Sequence, residues 1–172
     1  MDDEISCRDV TPLTLHALSV GEGILALCPL PGAGGDFQGD MAHLHDWQPG
    51  LVISMTTDVE HLAAGAASLG QDIQAMGCRW QHLPVPDYAP PTPDMLNQWP
   101  GISTLARQAL RGGGRVLVHC RGGCGRSGMV VLRLMIEAGE PPDQALQRLR
   151  AVRPCAVETE PQMHWAVTGA GP

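Results

Sequence analysis

The stretch that decides the fold is RVLVHCRGGCGRSGMVVLRLMIEA, residues 115–138. Its first five residues, Arg115–His119, form a short apolar run of the length of a buried strand. A glycine-rich loop follows, and the apolar segment 126–138 then has the length of a helix. A buried strand that leads through glycines directly into a helix predicts an α/β fold with an anion site at the helix N-terminus.

Strand and helix signals also alternate outside this stretch. Short apolar or alternating runs predict strands at 24–28, 51–55, 79–83 and 115–119. Capping residues and helical periodicity predict helices at 40–47, 61–66, 68–75, 95–111, 126–138, 143–152 and 158–167. We expect Asp40 and Asp94 to cap the helices that follow them, and Pro100 to bend its helix or delay its start. The sequence thus predicts one α/β domain over 1–172, three layers with a central mainly parallel sheet flanked by helices, and loosely held residues 1–12.

The net charge and the lengths of the apolar runs argue against nucleic acids and membranes as partners. The formal net charge is −7, whereas nucleic-acid and acidic-membrane surfaces need clustered cations, so we expect neither partner. No apolar run approaches the roughly 20 residues of a membrane span, and the acidic N-terminus does not resemble a secretory signal. These features predict a cytoplasmic protein, in which the six irregularly spaced cysteines would be free thiols. The sequence leaves the oligomeric state open.

Cys120 is the candidate nucleophile. It would lie where the loop turns into the helix, and there unpaired N–H groups and the helix dipole favour the negative charge of a thiolate. Ser127 is placed to donate a hydrogen bond to the sulfur, and we expect His119 to orient the loop rather than to act as a base. The alternative, non-catalytic interpretation is that Cys120 is a buried free cysteine near a surface arginine.

The same loop would bind a phosphate group. Glycines let the backbone N–H groups converge on an anion, and Arg126 offers a planar fork for two phosphoryl oxygens. Arg121 is either solvated or an additional phosphate contact. The predicted phosphate-binding residues are Arg121, Gly122, Gly123, Cys124, Gly125 and Arg126.

The pattern His119-Cys120, five residues, Arg126-Ser127 resembles the signature of the protein tyrosine phosphatase superfamily. The resemblance implies a cysteine-phosphatase fold and a cysteine-dependent phosphomonoester hydrolase that acts through a phosphocysteine intermediate, without a metal or an organic cofactor. Its substrate would be a phosphorylated protein or a small phosphate ester. Residues 80–88, WQHLPVPDY, resemble the dual-specificity branch, which makes Asp87 the candidate general acid. Asp94 is the alternative acid, and Asp87 could be an ordinary turn residue.

A third segment, 152–162, resembles compact dual-specificity-like enzymes, including the kinase-associated, cyclin-dependent-kinase-inhibitor-3-like phosphatases. The resemblance implies that Gln162 helps to position water. A reversible disulfide between Cys120 and Cys124 is a further hypothesis, motivated by a reactive thiolate beside a second thiol. Two alternative functions remain: a phosphate-recognising pseudophosphatase, and a thiol enzyme of sulfur transfer or arsenate reduction.

Overall fold

A computed structural model describes residues 10–171, so most of the segment expected to be loosely held lies outside the described residues. The strands are β1 (His16–Val20), β2 (Gly23–Cys28), β3 (Leu51–Ser54), β4 (Arg79–His82) and β5 (Arg115–His119). They form one sheet in the order β1-β2-β5-β3-β4. Only the β1–β2 pair of this sheet is antiparallel, which confirms the prediction of a mainly parallel sheet.

Each predicted helix is present, with ends displaced by up to three residues, as in the first two, and two of the caps differ from the prediction. The helices are α1 (Phe37–Trp47), α2 (Asp58–Ala63), α3 (Leu69–Ala75), α4 (Pro93–Arg111), α5 (Gly125–Glu137), α6 (Pro142–Val152) and α7 (Glu160–Thr168). The cap of α1 is Asp36, because Asp40 is buried and accepts a hydrogen bond from Gly32 N at 2.8 Å instead. The cap of α4 is Thr92, and Asp94 lies in the first turn. Pro100 does not delay the start of α4.

Helices cover both faces of the sheet. Along β5, Val116 and Val118 join a core with residues of α4, α5, α6 and α7, whereas Leu117 joins a second core with residues of α1 and α3. This alternation follows from the strand period of two, which sends successive side chains to opposite faces. The molecule therefore has the expected three layers.

The position of β5 determines where the site forms. It lies between β2 and β3 and is parallel to both, so its carboxyl end opens at the middle of the sheet edge. Open parallel sheets bind ligands at this edge. Within residues 10–171, no helix is long and apolar enough to cross a membrane.

Candidate active site

The loop between β5 and α5 carries the predicted nucleophile. Cys120 is only 3% exposed, and its sulfur lies 3.2 Å from Ser127 Oγ. Gly123 has φ +70°, and a Cβ there would come within 2.6 Å of the backbone of Cys28, so both its conformation and its packing require glycine. The loop is thus held against the end of β2.

The carbonyl groups of this loop all find partners outside it. Leu30 N donates to Arg121 O at 3.1 Å, and Arg153 donates to Gly122 O and Gly123 O at 2.9 and 3.0 Å. The next carbonyl, of Cys124, accepts hydrogen bonds from two backbone N–H groups of α5 and the loop before α7. By contrast, the backbone N–H groups of residues 121–124 donate to no atom of residues 10–171. Carbonyls bound outward and free N–H groups together make a nest suited to an anion.

Arg126 lies beside this nest and is 1% exposed. Its Nη1 donates to Glu60 Oε1 at 2.7 Å and to Val85 O at 2.8 Å, and its Nη2 donates to Glu60 Oε2 at 2.8 Å. Its Nε is buried and has no hydrogen-bond partner among residues 10–171. A buried donor without a partner is costly, and a bound anion would satisfy it.

Glu60 is a site residue that our sequence analysis missed. Its carboxylate also accepts from Thr57 N at 3.1 Å, and Thr57 Oγ1 accepts from Glu60 N, which makes the capping box that starts α2. Burial alone would raise the pKa of Glu60, but its hydrogen bonds to Arg126 and Thr57 lower that pKa to about 2. A threonine followed three residues later by a glutamate is a signal for such a box and would have drawn attention to this residue.

The candidate acid Asp87 reaches the same arginine. Its Oδ1 lies 3.3 Å from Arg126 Nη2 and accepts from Tyr88 N at 3.0 Å. Tyr88 has φ +63°, a conformation that non-glycine residues rarely adopt and that is enriched at functional sites. The carboxylate is 41% exposed, so it is open to a ligand on the phosphate loop. Asp94, the alternative acid, has no such contact among the described residues.

His119 is buried in a chain of hydrogen bonds. Trp80 Nε1 donates to Ser54 Oγ at 2.8 Å, and Ser54 Oγ lies 2.5 Å from His119 Nε2. The other ring nitrogen is 3.4 Å from Cys120 O. Burial lowers the pKa of His119 to about 3, so the ring is neutral at ordinary pH. A neutral histidine with both nitrogens engaged fits the expected orienting role.

Gln162 adjoins the phosphate loop but is engaged in structural contacts. A Cβ on Gly125 would lie 2.9 Å from its Oε1, which shows how closely the two pack. Gln162 Oε1 accepts from Glu158 N and Thr159 N, and Nε2 donates to Ala89 O at 3.2 Å. These bonds tie α7 to the loop that carries the candidate acid. The water-positioning role of Gln162 therefore stays a prediction.

The disulfide in the structure is not the one we hypothesised. Cys124 is bonded to Cys155, which lies after α6, and Cys120 is a free thiol together with Cys28 and Cys78. The expectation that all cysteines are free is therefore wrong for this pair. The two half-cystines lie 31 residues apart, and only the fold brings their Cα atoms within 5.2 Å. The bond fastens the phosphate loop to the segment that precedes α7.

Two histidines that seemed scattered in the sequence lie together. The rings of His61 and His82 stack 5.3 Å apart, and one ligand atom of each lies within 4.8 Å of the other and of Asp58. Both Nε2 atoms, however, are 2.6 Å from oxygens of Thr56, the side-chain hydroxyl and the backbone carbonyl respectively. We assign these rings a structural role in holding the segment after β3.

Known proteins resemble this chain in sequence and in fold. A family model described as PTP-SAK, Swiss Army Knife protein, DSP-PTPase phosphatase domain, matches residues 37–165. Cyclin-dependent kinase inhibitor 3 of Rattus norvegicus is 30% identical over 159 residues, covering 88% of this chain and 73% of that protein. The crystal structure of kinase associated phosphatase, with serine at its catalytic-site cysteine, superposes with a TM-score of 0.80 at 25% identity, covering 91% of this chain and 93% of that one. Tk-PTP in its active form has a TM-score of 0.66 at 30% identity, covering 81% and 86%.

The family model covers well over half of the chain, and the rat relative is similar over most of its length. The cysteine, the buried arginine and the anion nest that such a phosphatase needs are all present at the end of β5. The chain therefore belongs to the DSP-PTPase family of the protein tyrosine phosphatase superfamily and is a compact dual-specificity phosphatase.

Proposed function

We propose that this phosphatase hydrolyses phosphomonoesters through a phosphocysteine intermediate on Cys120. The observation that carries the proposal is the set of unsatisfied donors beside its sulfur. The free N–H groups of residues 121–124 and the buried Nε of Arg126 have no partner within residues 10–171. A phosphoryl group with its three oxygens would satisfy these donors at once.

The first half of the reaction transfers the phosphoryl group to sulfur. The Cys120 thiolate attacks phosphorus, the P–S bond forms, and the ester P–O bond breaks with its electron pair going to the leaving oxygen. Asp87 donates its proton to that oxygen, because an alkoxide is a poor leaving group without an acid. Arg126 stabilises the charge on the equatorial oxygens.

The second half regenerates the enzyme. Water attacks phosphorus, the Asp87 carboxylate takes a proton from that water, and the P–S bond breaks to release inorganic phosphate and the thiolate. Ser127 lies 3.2 Å from the sulfur, where its hydroxyl can donate to the departing thiolate. None of these steps requires a metal or an organic cofactor.

We propose a phosphorylated protein as the substrate, with phosphotyrosine and phosphothreonine both accepted. The rim of the site supports this choice, since it is built from single exposed side chains such as Tyr88, which is 61% exposed, rather than from a wall of aromatic rings. A shallow site of this kind admits the shorter phosphothreonine as well as the longer phosphotyrosine.

The proposal is tested with two aryl phosphates that differ in leaving group, p-nitrophenyl phosphate and phenyl phosphate. Cys120→Ser should abolish turnover of both and still bind vanadate. Asp87→Asn should slow phenyl phosphate about 100-fold or more and p-nitrophenyl phosphate much less, because only the poorer leaving group depends on the acid. Asp94→Asn is the matched control and should change neither rate by more than about twofold.

Three outcomes would contradict the proposal or one of its steps. Full turnover by Cys120→Ser would remove the nucleophile from the mechanism. Vanadate binding without any turnover in the wild-type chain would instead identify a phosphate-recognising pseudophosphatase. A larger loss for phenyl phosphate in Asp94→Asn than in Asp87→Asn would reassign the acid to Asp94.

A further inference from the structure

A groove of about 650 Å³ continues from the phosphate loop along the surface of the molecule. One wall is the segment between β2 and α1, and the other wall is α2. The residues that matter here are Leu30, Phe37, Val59, Glu60, Ala63 and Arg121. We infer that this groove binds the residues that flank the phosphorylated one in a protein substrate, with a preference for an apolar residue next to an acidic one. The inference deepens the proposed function and rests on it.

The groove and the phosphate site share residues, so a single substrate can occupy both. Arg121 directly follows Cys120, and Leu30 N donates to Arg121 O at 3.1 Å. Glu60 lines the groove and binds Arg126 on its other side. An extended peptide advances about 3.3 Å per residue. Because Arg121 adjoins Cys120 in the chain and lines the groove, we expect residues that neighbour a phosphorylated residue seated on Cys120 to enter the groove.

Most of the side chains that line the groove are apolar, and one of them is exposed on α2. Leu30 is buried, Phe37 and Ala64 are half-buried, and Val59 is 75% exposed at the edge of the groove. A single exposed valine needs no explanation by itself. This one lies in a concave surface that is continuous with the phosphate site, where an apolar side chain of a substrate would remove it from water.

The charged side chains of the groove indicate which kind of substrate residue lies beside the apolar one. The two ionisable side chains that line the groove are Glu60 and Arg121. The carboxylate of Glu60 is negatively charged, but Arg126 binds both of its oxygens, so this ion pair as a whole carries no net charge. Arg121 is exposed and its guanidinium makes no hydrogen bond or ion pair with residues 10–171. The groove therefore presents one free positive charge, which favours an acidic residue of the substrate.

The experiment compares three phosphotyrosine peptides and p-nitrophenyl phosphate in the full-length chain. The first peptide has leucine on both sides of phosphotyrosine and glutamate beyond each leucine, the second has glycine for leucine, and the third has lysine for glutamate. Val59→Ser should lower kcat/KM for the first peptide about 5- to 20-fold. It should leave the glycine peptide and the aryl phosphate within about twofold of the wild type, because neither fills the groove.

Leu62→Ser is the matched control. Leu62 lies on the same helix and is 70% exposed, but it does not line the groove, so this variant should match the wild type with all four substrates. Arg121→Glu should reverse the preference between the glutamate and lysine peptides, changing their ratio of kcat/KM about 10-fold or more.

Several results would overturn the inference while leaving the proposed function intact, since turnover of p-nitrophenyl phosphate tests that function separately. The first such result is an equal kcat/KM of the wild type for the leucine and glycine peptides. The second is an equal change in kcat/KM for the leucine peptide in Val59→Ser and Leu62→Ser. Deletion of residues 1–9 that accelerates peptide turnover and removes the Val59→Ser effect would assign the groove to the chain's own acidic N-terminal segment. A Val59→Ser defect seen only with phosphatidylinositol phosphate vesicles would assign it to a lipid.

Discussion

Both carboxylate oxygens of Glu60 are bound by Arg126, with Nη1 at 2.7 Å from Oε1 and Nη2 at 2.8 Å from Oε2. The pairing takes up both terminal nitrogens on one side of the guanidinium and fixes its plane. Nε is left unpaired within residues 10–171, and Nη2 is the nitrogen that also approaches Asp87. Glu60 thus determines which edge of the arginine remains available for phosphate.

Replacement of Glu60 by glutamine should therefore lower activity. An amide offers one acceptor where the carboxylate offers two, so the guanidinium loses its fixed orientation, and a misplacement of about 1 Å can cost about 100-fold in rate. We expect Glu60→Gln to reduce kcat/KM for p-nitrophenyl phosphate by about 10- to 100-fold. Glu140→Gln removes a glutamate that pairs with Arg148 away from the site, and it is the control. Unchanged kcat/KM in Glu60→Gln would show that the plane of Arg126 is fixed without the carboxylate.

The ion pair between Glu60 and Arg126 should make the free energy of unfolding depend on pH. The pKa of Glu60 is lowered from 4.5 to about 2 in the folded protein, so its ionised form stabilises the fold at pH values above about 4.5. This contribution, at most about 3 kcal/mol, is lost as the pH falls from about 4.5 to about 2. Urea unfolding of wild type and Glu60→Gln should show a free-energy gap that closes across this range. A gap that stays constant from pH 5 to pH 2 would contradict the prediction.

Burial of His119 predicts a second pH dependence at higher pH. The pKa of His119 is lowered from 6.5 to about 3 in the folded protein. Between these two pH values the unfolded chain is therefore protonated at His119, whereas the folded chain is not. Stability should therefore fall as the pH drops from about 6.5 towards 3, and His119→Asn should lack this component. The free-energy gap between wild type and His119→Asn should narrow over that range. His164→Asn, which removes an exposed histidine, is the matched control.

The parts of this fold that local sequence determines were predicted well. The strand–loop–helix unit at 115–138 is complete within one stretch, since apolar periodicity and glycines specify it without reference to the rest of the chain. By contrast, β1 was missed: its five residues, HALSV, include only two buried ones, Leu18 and Val20, and the strand is completed by antiparallel pairing with β2. Asp40 can cap a helix, but it lies within α1 and accepts a hydrogen bond from Gly32 N, eight residues earlier, instead.

The residues of the candidate site likewise fall into those that local sequence predicts and those that it does not. Cys120, Arg126 and Ser127 follow one another in a short segment, and their spacing alone places them together. Glu60 reaches Arg126 across 66 residues, and Cys155 reaches Cys124 across 31, so neither contact has a local signal. Asp87 is 3.3 Å from Arg126, a contact that the sequence did not predict, and its role as the general acid stays a prediction.

The disulfide and Arg153 both hold the phosphate loop and are in contact, since Arg153 Nη2 donates to Cys124 Sγ at 3.6 Å. Arg153 binds the carbonyls of Gly122 and Gly123, while the bond between Cys124 and Cys155 closes a loop of 31 residues. The entropy of such a loop in the unfolded chain predicts that Cys124→Ser/Cys155→Ser lowers the free energy of unfolding by about 3–4 kcal/mol.

Activity should respond differently. With Arg153 in place, the doubly substituted chain should retain its kcat within about threefold, because the carbonyls stay bound and the N–H groups keep their direction. Arg153→Ala alone should lower kcat/KM modestly, since the disulfide still restrains the loop, and the triple variant should lose more than the product of the two effects. Urea unfolding and p-nitrophenyl phosphate kinetics on the four chains measure both quantities. Strictly multiplicative losses in kcat/KM would show that the two restraints act on different parts of the loop. A decrease in the free energy of unfolding below about 1 kcal/mol in the doubly substituted chain would show that the disulfide does not constrain the unfolded chain.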